Sequence, residues 1–392
     1  MEYIKFENFI KSVQYGYTAD ATYSEGNIQY LRITDIVPYF VDKSKVPYVL
    51  VDKKITEKYL VKKDDLLIAR TGATTGYNLV VPAGFENFIF ASYLVRYFYD
   101  KERLNPVYLK HVLKSQQWYG FVKNFIGGSA QPGMNPRTMG KFSFPYHEFS
   151  VQEKIANVLN SYDQLIENNN KRIKLLEQTT QEIFKEWFVR FRFPSHINVK
   201  IINGLPCGWK YIHLYEIANF QYGYSFDSSR FCENGQYPVV RIRDILENKT
   251  DTYTDESCDK KYIIKDNDIL VGMDGIFHTS MWHGDSSFQN QRIVKIASKV
   301  DYVKNMFLFL SVYPQIKYWE KIISGTTVAH LGDKHLKKIK ILIPTKYILE
   351  EFNKIAEPIL EEINILYKKN QTLIKQRDLL LPRLMSGKLE VK

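Results

Sequence analysis

QYGYT (residues 14–18) is written again as QYGYS (residues 221–225), an offset of 207. Five residues alone could coincide, so the flanking segments decide whether the chain is one module used twice. YLRITDI (30–36) meets VVRIRDI (239–245), and KYLVKKDDLLIARTG (58–72) meets KYIIKDNDILVGMDG (261–275). Each half then closes on a glycine stretch and a strand ending in proline: GGSAQPGMNPRTMGKFSFP (127–145) and SGTTVAHLGDKHLKKIKILIP (324–344). The order is kept while the offset drifts, as loops of unequal length require. The chain is a tandem duplication.

Within the first half, YLRIT, DLLIA, NLVV and FIFASYLVRYFY carry the β-branched and aromatic residues of strands. TGATTGYN (71–78) reads as a glycine-containing turn between two of them. PVYLKHVLKSQQWYGFV (106–122) and its partner NMFLFLSVYPQIKYW (305–319) read as short helices, the second interrupted at Pro314.

The segment trailing each half is different in kind. SVQEKIANVLNSYDQLIENNNKRIKLLEQTTQEIFKEWF (150–188) opens with a capping box, Ser150 and Glu153. From Ile155 to Trp187, positions spaced alternately four and three apart are apolar in eight of ten cases. The same stripe recurs 197 residues later, from Phe352 to Leu384, with Pro358 and Pro382 expected to kink it. This spacing is the seam of a coiled coil, and Asn169 and Asn370 sit on it where a buried amide sets register.

Composition bounds the remainder. At 392 residues the chain exceeds one ordinary core. No run of about 18 uncharged apolar residues occurs, so no membrane span is expected. The acidic start MEYIKFENFIKS does not read as a signal peptide. Three unpaired-looking cysteines, Cys207, Cys232 and Cys258, suit a reducing cytoplasm. The net charge of +11 favours a polyanionic partner, since each neutralised phosphate releases counterions. Catalytic signatures fall short. NPVY (105–108) and NPRT (135–138) lack the second proline of an adenine methyltransferase motif, Gly140-Lys141 and Gly387-Lys388 lack a phosphate loop's next residue, and HEFS (147–150) lacks a zincin's second histidine. No catalytic residue, cofactor or metal site is expected.

Two alike units pairing through helices tend to do so about a two-fold axis, which makes the helices antiparallel and puts the units at opposite ends. The stripe from 155 to 187 spans about 48 Å at 1.5 Å per residue. One turn of B-DNA is about 34–36 Å. A basic chain of these dimensions suits two separated patches of one duplex, and unlike units imply unlike patches.

The residues resemble the specificity subunit of type I restriction–modification enzymes. QEKIANVLNSYDQLI with IFKEWFVRFRFP (183–194) resembles the end of that family's first conserved helix. GLPCGWKYIHLYEIA (204–218) resembles the opening of its second recognition domain, and DDLLIARTGATTG and GSAQPGMNPRTMGKFSFP are similar to recurrent segments. The first unit lacks the Pro-x-Gly-Trp opening. The resemblance implies an α+β fold: two tandem target recognition domains joined by two long helices in an antiparallel coiled coil, pseudo-two-fold symmetric. The expected boundaries are 1–148 and 204–344 for the recognition domains, 149–190 and 345–392 for the spacer helices, and 191–203 for a linker. It also implies a non-catalytic subunit that reads bipartite double-stranded DNA. Two methyltransferase subunits using S-adenosylmethionine mount on it, and restriction (motor-nuclease) subunits join for cleavage. The rival readings are a stand-alone nuclease or methyltransferase and a coiled-coil scaffold for proteins only.

Candidate DNA contacts are polar, forked or planar side chains on loops. Gln14, Tyr15 and Tyr17, with Gln221, Tyr222 and Tyr224, could bind adenine, phosphate or a base face; the rival is a tight turn with tyrosines on the sheet. Arg32 and Arg241 each precede an aspartate by three, and their sameness in both units favours an ion pair. Arg243, facing Thr34, is the stronger base reader because it differs. Thr71, Thr74, Thr75 and Asn78 share a loop position with Asp274, His278 and Thr279, and Arg137 and His330 lie in the matched glycine stretches.

Overall fold

The computed structural model describes residues 2–126, 133–323 and 329–391. The chain divides into two units: Met1–Asn168 with Thr372–Lys392, and Asn169–Gln371. The last segment therefore belongs with the first domain.

In the first unit, four strands form an antiparallel sheet in the order Ile10–Tyr15, Leu94–Tyr99, Leu66–Ala69, Asn78–Val80. A three-stranded sheet beside it runs Tyr48–Val49, Ile28–Leu31, Phe88–Phe90, the last pair parallel. In the second unit the same order recurs as Ala218–Tyr222, Ile293–Ser298, Ile269–Gly272, Thr279–Met281. Its second sheet again holds a parallel pair, Tyr237–Val240 with Ser287–Gln289. Leu66–Ala69 and Ile269–Gly272 are buried throughout, which is why these runs are continuously apolar rather than alternating.

Two 40-residue helices, Phe149–Phe188 and Lys346–Met385, carry the seams. Every expected seam position is buried or half-buried, in the same pattern in both helices. Within the first unit, Ile155 and Leu159 cluster with Leu381 and Leu384, and Arg377 reaches Asp163 at 2.8 Å. Within the second, Ile173 clusters with Ile363 and Leu366, and the Phe188 and Phe352 rings lie 5.1 Å apart. Early positions of one helix face late positions of the other, so the pair is antiparallel in each unit. Asn169 donates to Asn370 at 2.8 Å, and Asn370 donates onward to Asn170 at 2.8 Å, so the seam amides satisfy one another.

Two expectations change. Pro314 does not break its helix: like Pro358 and Pro382 it lies inside an uninterrupted helix with its ring exposed. Water on that face can take the carbonyl that proline leaves unbonded. Ser150 lies inside the first turn, not at its cap, because the helix starts at Phe149 and the Glu148 carbonyl accepts from Val151 and Gln152.

Candidate nucleic-acid interface

QYGYT and QYGYS make the same crossing in their two units. In each, the strand leaves one sheet at the tyrosine and joins the other after the glycine. Gly16 N–H donates to Leu94 O and Tyr17 N–H to Phe90 O; Gly223 and Tyr224 repeat this on Ile293 O and Gln289 O. A Cβ on Gly16 would stand 2.2 Å from Ala91 O, and on Gly223 2.1 Å from Asn290 O, so only glycine lets the strand cross. Tyr17 packs on Tyr59 at 5.5 Å and Tyr224 on Tyr262 at 5.5 Å. The repeated motif is a structural hinge between sheets, kept because both units need it.

The glutamines are half-exposed and bonded within their units. Gln14 donates to Lys58 O at 3.1 Å and accepts from Arg96; Gln221 donates to Lys261 O. Behind Gln14, Arg96 pairs with Asp65 at 2.9 Å and donates to Leu60 O at 2.7 Å, with both charged groups buried. The second unit replaces this pair with Lys295 and Asp268 at 3.4 Å, Lys295 donating to Ile263 O at 3.0 Å. In both units the glutamine amide therefore donates to a backbone carbonyl of its own unit.

The crossing brings three further segments to one junction. In the first unit Arg70 N–H donates to Tyr93 O, Met134 N–H to Arg70 O, and Thr71 bridges Gly133. In the second, Met273 N–H donates to Arg292 O, Leu331 N–H to Met273 O, and Asp274 bridges His330. The ends of Ile28–Leu31 and Tyr237–Val240 join through Ala91 N–H to Leu31 O and Asn290 N–H to Val240 O. Arg32 and Arg241 come directly after those carbonyls. One backbone scheme thus gathers residues from loops far apart in sequence, twice.

The side chains on the two rims differ. On the first, Tyr15 and Tyr93 are exposed, and the Arg70 guanidinium lies 5.1 Å from the Tyr15 ring with its Nε 3.4 Å from Ser92 O. Thr71 is half-exposed and Arg137 exposed. On the second, Asp274 Oδ1 accepts from His330 Nδ1 at 2.6 Å, and its Oδ2 lies 3.3 Å from Arg292 Nε as an ion pair. Tyr222 donates to Asp333 at 3.0 Å; burial first, then that carboxylate, hold its phenol protonated well above the usual range. Gly275 adopts φ +68° at the loop tip and Ile276 beside it is exposed.

The remaining expected contacts divide into turn-formers, exposed groups and buried ones. Arg32 grips Asp35 through Nε at 3.0 Å and Nη2 at 2.9 Å, and Asp35 also accepts from the Arg32 N–H, so the pair closes a turn. Asp244 accepts from the Arg241 N–H likewise, at 2.9 Å. Thr34 is exposed, and Arg243 is exposed with Nη2 3.2 Å from Thr252 Oγ1. Thr75 and Asn78 are corrections: both are buried, Thr75 donating to Gly72 O and Asn78 donating to Gly76 O and Leu113 O. Thr74 is half-buried with its hydroxyl inside. His278 is half-buried, and desolvation followed by Lys317 holds it neutral by lowering its pKa. Residues 127–132 and 324–328 of the glycine stretches lie outside the described residues. Sequence reading missed Arg70, Tyr93, Arg292 and Asp333; the signal available was the mismatch of Tyr93 with Arg292 inside otherwise matched strands.

A family model described as the type I restriction modification DNA specificity domain matches residues 13–178 and 206–376. The chain is 26% identical over 388 residues to the type I restriction enzyme MjaIX specificity subunit of Methanocaldococcus jannaschii, covering 91% of this chain and 87% of that one. It is 25% identical over 407 residues to the MjaVIII specificity subunit of the same organism, covering 92% and 93%. The crystal structure of a type I restriction-modification S subunit from M. genitalium shares the fold, with a TM-score of 0.54 at 15% identity over 98% and 96% of the two chains. Among the described residues no helix is long and apolar enough to cross a membrane.

Proposed function

This chain belongs to the type I restriction modification DNA specificity family, and on that premise we propose how it divides the work of recognition. It is a specificity subunit, not a catalytic one, and such subunits bind DNA and assemble with others. Each junction reads one half of a bipartite, asymmetric site, and the helices between them set the unspecified gap. We place the recognition domains at 1–148 and 204–344, the spacer helices at 149–190 and 345–392, and the linker at 191–203. Two methyltransferase subunits carrying S-adenosylmethionine mount on the chain, restriction subunits join where the host has them, and the assembly works in the cytoplasm.

One observation carries this reading: the two junctions keep the same backbone hydrogen bonds while their rim side chains diverge. Readout of two different sequences requires rims that differ on a backbone that does not. The reading set is Tyr15, Arg70, Thr71, Tyr93 and Arg137 on the first rim, with Tyr222, Arg243, Asp274, Arg292 and His330 on the second. Replacing residues 1–145 with the same segment of a relative, in the assembled methyltransferase, is expected to change one half-site only. Methylation mapping that showed both halves altered, or neither, would sink it. A salt-independent lack of duplex binding would favour a protein-only scaffold instead.

A further inference from the structure

Of the side chains on both rims, Arg292 stands beside a carboxylate that a histidine also holds. Its Nε lies 3.3 Å from Asp274 Oδ2 as an ion pair, and among the described residues its guanidinium makes no side-chain hydrogen bond. Its side chain remains 58% exposed, against 29% for Asp274. Asp274 is itself fixed: its other oxygen takes His330 Nδ1 at 2.6 Å, which requires the proton on Nδ1 because a carboxylate only accepts. The backbone bridge of Asp274 with His330 and the Met273 N–H to Arg292 O bond, 3.0 Å, anchor both ends of this arrangement.

An arginine steered by a neighbouring carboxylate and free of hydrogen bonds at both Nη presents a planar fork. Two parallel N–H donors match the O6 and N7 acceptors of guanine in the major groove and no other base edge equally well. With both Asp274 oxygens occupied, that carboxylate has less to offer a cytosine amine, so its role is positioning.

Resting on the function proposed above, we propose that Arg292 reads a guanine in the half-site served by the second unit, and that Asp274 and His330 position it. The first unit has no counterpart: Tyr93 and Thr71 stand where Arg292 and Asp274 do, and its rim arginine, Arg70, comes from a different strand end and lies over Tyr15.

The test uses the full chain assembled with methyltransferase subunits and maps methylated sites genome-wide. Arg292→Ala is expected to relax one G·C position in one half-site, with discrimination there falling roughly 10–100-fold and the other half and the gap unchanged. Arg292→Lys, which keeps the charge and loses the fork, should relax the same position, and Asp274→Asn should relax it less. An unaltered motif in both Arg292 variants overturns the proposal, as does a wild-type half-site for this unit containing no G·C pair. Duplex binding by purified Arg292→Lys separates a backbone role: uniformly weaker binding with the guanine preference intact makes Arg292 a phosphate contact and the proposal wrong. Because the exchange of residues 1–145 tests half-site assignment without touching Arg292, its outcome tells failure of this inference from failure of the two-rim reading.

Discussion

Asp163 in the first long helix and Leu360 in the second occupy equivalent places, 197 residues apart, yet they hold their domains by opposite means. Asp163 is buried and accepts from Arg377 at 2.8 Å, Lys110 at 2.5 Å and Tyr39 at 2.9 Å, with the Arg377 guanidinium stacked 4.1 Å from the Tyr39 ring. Lys114 adds a further cation nearby, its pKa pushed down to about 8, first by burial and then by Lys110. Leu360 instead sits in an apolar cluster with Phe352, Phe307 and Trp187. Either solution seats a helix on a sheet domain. The lesson is that the duplication conserves backbone geometry and helical phase, while the chemistry filling each contact drifts as freely as the rims do.

Breaking the charged version should have the largest effect. Asp163→Ala leaves Arg377 and Lys110 without their shared partner, and is expected to destabilise the first unit by about 3–5 kcal/mol. Urea unfolding followed by proteolysis within residues 1–168 would measure it. A loss below about 1 kcal/mol would mean the cluster is solvated and the contrast with Leu360 is one of sequence only.

The second comparison sets Arg96 against Lys295. Arg96 and Asp65 are 6% and 8% exposed, whereas Lys295 and Asp268 are 12% and 20% exposed. Arg96→Met is expected to destabilise by about 3–5 kcal/mol, and Lys295→Met by about half that, since water reaches Asp268. Equal losses in chemical denaturation would show that burial does not set the difference.

The last comparison is one of pH. His111, beside Asp163, has its pKa pushed down to about 3, chiefly by burial, with Asp163 opposing. Its folded pKa lies below the unfolded value, so the unfolded chain binds the extra proton between about pH 6.5 and 3. Stability is therefore intact above about pH 6.5 and falls with acidity, by at most about 1.4 kcal/mol per pH unit. The second unit has Leu310 at the matching place. His111→Phe should flatten that part of the stability profile; an unchanged slope would assign acid sensitivity elsewhere.

Much of this architecture was legible because it rests on periodicity. The offset blocks, the strand runs and the four-three stripes depend on local spacing, and the folded chain keeps them. Pro314 misled because a sequence shows the missing N–H but not the exposed face that tolerates it. The site was legible as loops and not as directions. Asn78 looked like a reading residue until its amide met Leu113 O, a partner 35 residues away. Gln14 was claimed by Arg96, 82 residues away. Such partners are set by how sheets stack, which no local pattern encodes. Arg292 escaped notice for the converse reason: its preparation depends on Asp274, brought to it across the sheet.

The assignment of Thr372–Lys392 to the first unit has a consequence for how the chain is made. Leu381, Leu384 and Met385 complete a core begun by Phe6 and Phe9, so the earliest domain to leave the ribosome is the last to be closed. At about 5–20 residues per second, the wait from residue 168 to the final helix is roughly 10–45 s. For that interval a half-built domain stands open in a crowded cell, and a chain cut short before residue 372 would leave its earlier-made domain without part of its core.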